Sequence, residues 1–200
     1  MIPQDTHVYA AMNLAQPPFD DVHVRRAANL VVARRALVER FGPGGARLAL
    51  HAAPDSLEGN LLLDYDPHPT PGGGGNLAAA RAEMAQSRYD SDGDGACDDP
   101  ACTAIPAIAI DFAHTFFPAD LVAMLEQDLE QLGLEISVKS APPEEVFPAL
   151  GTQESRHALI LNYVWATDFP NGSGWFPGTL DVDDPAGNPS LVGVSAGSAR

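Results

Sequence analysis

Residues 105–139, IPAIAIDFAHTFFPADLVAMLEQDLEQLGLEISVK, decide the fold. The opening run, Ile105 to Phe112, is apolar and reads as a strand. From Ala119 to Leu132 the apolar residues recur at helical spacing. Leu121, Leu125, Leu129 and Leu132 form one stripe with Val122 and Met124 beside it, and Glu126, Gln127, Glu130 and Gln131 face water. Gly133 is placed to end that helix in the left-handed region. Leu134, Ile136 and Val138 then alternate with polar residues, the period of a strand. Strand, helix, glycine, strand is a βαβ unit, expected to be parallel and right-handed.

Working outward, Glu144, Glu145, Phe147 and Leu150 predict a short helix. The stretch 157–176, HALILNYVWATDFPNGSGWF, supplies the next strand from Ala158 to Trp165 and a second crossover into the same sheet. Proline, asparagine and glycine break it at Thr167 to Gly172. Asp168 therefore stands just past a strand end, where open α/β sheets bind ligands. It either caps the turn or meets a ligand, since a carboxylate beside aromatic rings can hold a cationic group while the rings cover an apolar body. Residues 177–200 carry no core pattern and are expected to form a loosely ordered tail.

Upstream, His7 to Asn13 predicts a strand that Gln16-Pro17-Pro18-Phe19 ends. Asp20 or Asp21 caps a helix expected to run to about Phe41, with Arg25, Arg26, Arg34 and Arg35 on its solvated face. Gly42-Pro43-Gly44-Gly45 stops it. Prolines and the glycines 72–75 make residues 46–76 mostly loop. Asn76-Leu77-Ala78 follows instead of the Lys-Ser/Thr of a phosphate loop, and a short alanine-rich helix runs from Leu77 to about Arg88.

The chain has 200 residues, 45 % of them hydrophobic and 19 % charged, enough for a real core. Its 27 acidic against 11 basic residues give a net charge of −16, which repels phosphate backbones and anionic lipid. Nucleic acid is therefore not an expected partner. No apolar run is long enough to insert in a membrane, and the start lacks the pattern of a signal peptide. Cys97 and Cys102 would close a small disulfide ring in an oxidising compartment or remain thiols in a reducing one. Neither cysteine has an electropositive setting, the histidines show no HExxH spacing and Ser173 lies in no GxSxG elbow, so the chain is not expected to be an enzyme.

Four stretches, in order, resemble the family 5 extracellular solute-binding proteins, the peptide- and oligopeptide-binding components of ABC importers. Asn13 to Ala27 (NLAQPPFDDVHVRRA) is similar to the family's asparagine, Pro-Phe and Asp leading into a Val-Arg-x-Ala helix. Asn76 to Arg88 is similar to its alanine-rich helix, and Gln127 to Ile136 (QDLEQLGLEI) to its helix-Gly-strand signature. Trp165 to Pro170 (WATDFP) resembles its Trp-x-x-Asp-Tyr-Pro cleft motif. The resemblance implies an α/β fold, the large C-terminal lobe of a type II periplasmic-binding-protein-like clamshell that closes on ligand by a hinge. It implies that Asp168 pairs with a peptide's α-ammonium group and that the neighbouring aromatics, with Trp165, Phe169 and Trp175 the candidates, cover the cleft. Such a pair mainly selects which ligands fit. The implied partners are a peptide or other small solute and ABC permease subunits, and the implied location of the full-length protein is periplasmic or extracellular.

The chain also departs from the family. The resemblance does not extend to the family's smaller domain, the start of the lobe or the segment after the cleft motif, and the family's Asp-Arg pair reads Ala33-Arg34. An incomplete lobe is expected over residues 1–176, with an acidic insertion at 89–104.

Within that insertion Asp90, Asp92, Asp94 and Asp98 take positions 1, 3, 5 and 9 of a calcium-type loop, with Gly95 at position 6 and the Ala96 carbonyl at position 7. Position 12 is Ala101, which has no carboxylate to close a site. Loop 90–99 is thus either a candidate for weak Ca²⁺ binding or a solvated turn stapled by Cys97 and Cys102; no cofactor is otherwise required. The resemblance favours the turn. The expected function is solute binding for import; the alternative is a calcium-stabilised extracellular interaction domain with no transport role.

Overall fold

The computed structural model describes residues 6–112, 117–149, 157–166 and 171–176. Four strands form one mixed sheet in the order β1-β4-β2-β3: β1 is Thr6–Met12, β2 Ile105–Ile110, β3 Ile136–Ala141 and β4 Leu159–Ala166. Strands β2 and β3 pair in parallel across the crossover helix α4 (Leu121–Glu130), as the βαβ pattern requires. Strand β4 joins the other side of β2 in parallel, and β1 closes the edge antiparallel to β4. The second crossover carries a short helix, Pro143–Val146, and a 3-10 turn over Phe147–Ala149.

Helices cover both faces. On one face Ala107, Ala109, Leu159 and Leu161 meet Leu129 and Leu132, together with Val24, Ala27 and Ala28 of the helix Val22–Val31 and Ala80 and Met84 of the helix Leu77–Met84. These helices are α1 and α3. On the other face Ile108, Ile110, Ile160 and Tyr163 pack against Val146. Parity in β4 changes on the way, because Ile160 and Tyr163 would point oppositely in an unbroken strand. Asn162 adopts φ +56°, and the register against β1 slips between Tyr9 and Ala11. This bulge restores Tyr163 to the face of Ile160.

The single helix expected to reach Phe41 is two. Helix α1 ends at Val31, Val32 is extended, and α2 runs Arg34–Glu39. Asp128 of α4 accepts the Ala33 N–H at 2.8 Å, and Asn76 donates its N–H to the Leu30 carbonyl at 2.7 Å. Backbone groups at the break are therefore met by other segments. The arginines of this stretch also do more than face water. Arg25 donates to the Phe19 carbonyl at 2.7 Å, Arg34 to the His68 carbonyl at 2.8 Å, and Arg35 to the Gly72 carbonyl. The helix α3 stops at Met84, short of Arg88. The N-cap expected at Asp20 or Asp21 is Asp21, which accepts the His23 N–H at 2.8 Å.

Candidate functional site

A cavity of about 830 Å³ lies on the sheet face that carries α1 and α4. Its floor is the row Val8, Ala10 and Met12 of β1 with Leu159 and Leu161 of β4. Those positions share a face because strand side chains alternate. Leu125 and Leu129 of α4 form one side, Leu37 and Val38 of α2 another, and the irregular chain from Gly44 to Ala52 closes over the top. The size suits a small solute, and the walls are mostly apolar with a few polar groups, the usual composition of ligand sites.

One group of polar side chains stands where the loop chain meets β1. The ring of Trp175 is 1 % exposed, packs with Ala53 and Leu57, and stands edge-on to His7 at 5.4 Å between centroids. Burial lowers the His7 imidazole below its ordinary value; its hydrogen bond to the Ala52 backbone and the charge of Asp55 oppose this. The His51 side chain is only 3 % exposed. Its Nε2 lies 3.1 Å from Asp55 Oδ1, but neither ring nitrogen is in hydrogen-bond geometry. The other oxygen of Asp55 is 3.4 Å from Arg47.

Of the sequence candidates, Trp175 lies in the cavity wall. Trp165 packs into the same cluster and points its Nε1–H at the Gly174 carbonyl, 3.4 Å away. Asp168 and Phe169 lie outside the described residues. Sequence reading missed Arg34, Arg47, His51 and Asp55. The only local signal was a His–Asp pair at i, i+4 in a loop, a spacing that means little without a helix around it.

In the acidic loop Asp90, Asp92 and Asp98 bring carboxylate oxygens within 4.8 Å of one another, and Asp94 is not part of that group. The oxygens already have donors. Asp90 accepts the N–H groups of Gly93 and Gly95 at 2.7 and 2.8 Å, and Asp98 accepts the N–H and hydroxyl of Ser91. Those bonds hold the exposed Asp98 carboxyl below its ordinary range. Asp94 turns back to the Ala96 N–H at 2.8 Å. Calcium needs six or more oxygens, and Asp90 and Asp98 each already accept two bonds from within the loop. Cys97 and Cys102 are joined in a disulfide, and the Cys97 N–H donates to the Leu132 carbonyl at 2.8 Å. The loop is thereby tied to the end of α4.

The model of the bacterial extracellular solute-binding proteins, family 5, matches residues 2–184. The chain belongs to that family. Among solved structures of similar fold, "Clavulanic acid biosynthesis oligopeptide binding protein 2" is 25 % identical with a TM-score of 0.68, over 94 % of this chain and 33 % of its own. Haemophilus influenzae OppA, in complex with the peptide RPPGFSPFR, is 13 % identical with a TM-score of 0.68, over 94 % of this chain and 34 % of its own. NikZ from Campylobacter jejuni, in complex with Ni(L-His), is 15 % identical with a TM-score of 0.67, over 94 % of this chain and 36 % of its own. No curated protein sequence matches the chain. The family 5 chain thus spans about a third of the length of these structures. Its mixed sheet with helices on both faces is that of a type II periplasmic-binding-protein-like fold, present in part.

Proposed function

We propose that the chain is part of the substrate-binding component of an ABC importer, which holds peptides or similar small solutes outside the membrane and passes them to permease subunits. Family membership over residues 2–184 carries this reading. The apolar cavity against β1 and β4 supports it, as do relatives of the same fold named or solved as peptide binders. In this reading Asp168 pairs with the α-ammonium group of the solute, while Trp165, Phe169 and Trp175 form the apolar cover. The chain performs no covalent chemistry.

Thermal unfolding with and without a pool of short peptides tests it. A peptide-dependent rise in midpoint that Asp168→Ala abolishes is expected, because a ligand that binds only the native state raises its stability. No rise with any peptide would overturn the reading. A chelator arm addresses the acidic loop. The backbone N–H groups on Asp90 favour a turn that closes without metal, so chelator is expected to leave the midpoint unchanged. A large drop would instead favour the calcium-stabilised interaction domain.

A further inference from the structure

We propose that Arg34 receives the carboxylate of an otherwise apolar solute in the cavity beneath residues 44–52; this rests on the solute-binding reading above and names the chemistry of the solute. The sign of charge in the wall is the first observation. In a chain of 27 acidic and 11 basic residues, the charged residues of the cavity wall among the described residues are Arg34, Arg47 and one carboxylate, Asp55. Asp55 is already engaged by Arg47 at 3.4 Å.

Arg34 is the second observation. Its guanidinium donates to two main-chain carbonyls, His68 at 2.8 Å and Asn29 at 3.4 Å, and among the described residues it has no carboxylate within ion-pair distance. Carbonyl oxygens orient an arginine but do not neutralise it, so its charge stays available to an anionic group. A planar carboxylate entering between Leu37 and Val38 on one side and Leu125 and Leu129 on the other would match the free edge of the fork.

The test compares trileucine free acid, trileucine C-terminal amide and decanoate by isothermal titration calorimetry on the 200-residue chain. One charge-assisted pair predicts that the free acid binds about tenfold tighter than the amide. Arg34→Gln is expected to remove that preference by lowering the affinity for the free acid towards that for the amide. Arg34 also ties the chain at His68, so a second variant keeps the positive charge. Arg34→Lys retains a cation but gives up the planar fork, and is expected to keep part of the preference for the free acid. Equal binding of acid and amide by the wild-type chain would overturn the role of Arg34 and leave the peptide reading standing. Binding of decanoate without trileucine would keep the role of Arg34 and overturn peptides as the solute. Binding of none of the three would overturn both.

Discussion

Gly133 is the residue where local and long-range demands coincide. It sits at φ +72°, and a Cβ there would lie 2.5 Å from the Cys97 carbonyl oxygen. Only glycine meets both conditions: the left-handed turn out of α4 and the close passage of the acidic loop. Gly133→Ala is therefore expected to cost about 1–3 kcal/mol in a urea titration, with the midpoint falling and the slope unchanged. Its turn-forming role was legible in the sequence, since a glycine ends a leucine-striped helix and a strand follows. The close approach of Cys97 was not, because nothing near Gly133 in sequence says which loop crosses it.

At the scale of elements, the break between α1 and α2 is the feature that shapes the cavity, because it turns Arg34, Leu37 and Val38 into the wall. One side chain from another helix meets the freed N–H of Ala33. Burial raises the Asp128 carboxyl and the Ala33 N–H partly offsets this, so the group is an acceptor held in a half-buried place. Asp128→Ala is expected to lose about 1–2 kcal/mol by leaving that N–H unmet, whereas Asp128→Asn keeps an acceptor and should stay within about 0.5 kcal/mol of wild type. Chemical denaturation of the two variants separates the cases, and equal losses would show that the bond does not hold the break. Sequence periodicity runs on through Leu37, Val38 and Phe41, which is why a continuous helix was expected. The pattern records which face is apolar and is silent on where the axis bends.

Across the whole molecule, His7, His68 and His157 share a sign. Burial is the main cause in each, and it lowers all three below the ordinary imidazole value. A depressed native value means that the unfolded chain takes up these protons first. Stability is then fully present above the unfolded value of about 6.5 and falls as the pH drops from there through the native values. The melting temperature is expected to fall between pH 7 and pH 5, before carboxylates such as Asp21 and Asp98, which are held below their ordinary range, begin to titrate. His7→Gln should flatten part of that slope. A flat profile over the interval would show that these rings are free to ionise in the native state.

The sequence alone determined the strand–helix–strand order around α4, a cap at Asp20 or Asp21, the stop at Gly133 and the candidacy of the turn after β4. Each depends on a period or a turn chemistry contained within a few residues. The tertiary structure decided the break at Val32 and Ala33, the bulge at Asn162 and the packing of Trp175 against Ala53 and Leu57. It also assembled the cavity, whose wall draws Val8, Arg34, His51, Leu125 and Leu161 from separate parts of the chain. A partner far along the chain leaves no local period, so only the folded molecule brings those residues to one place.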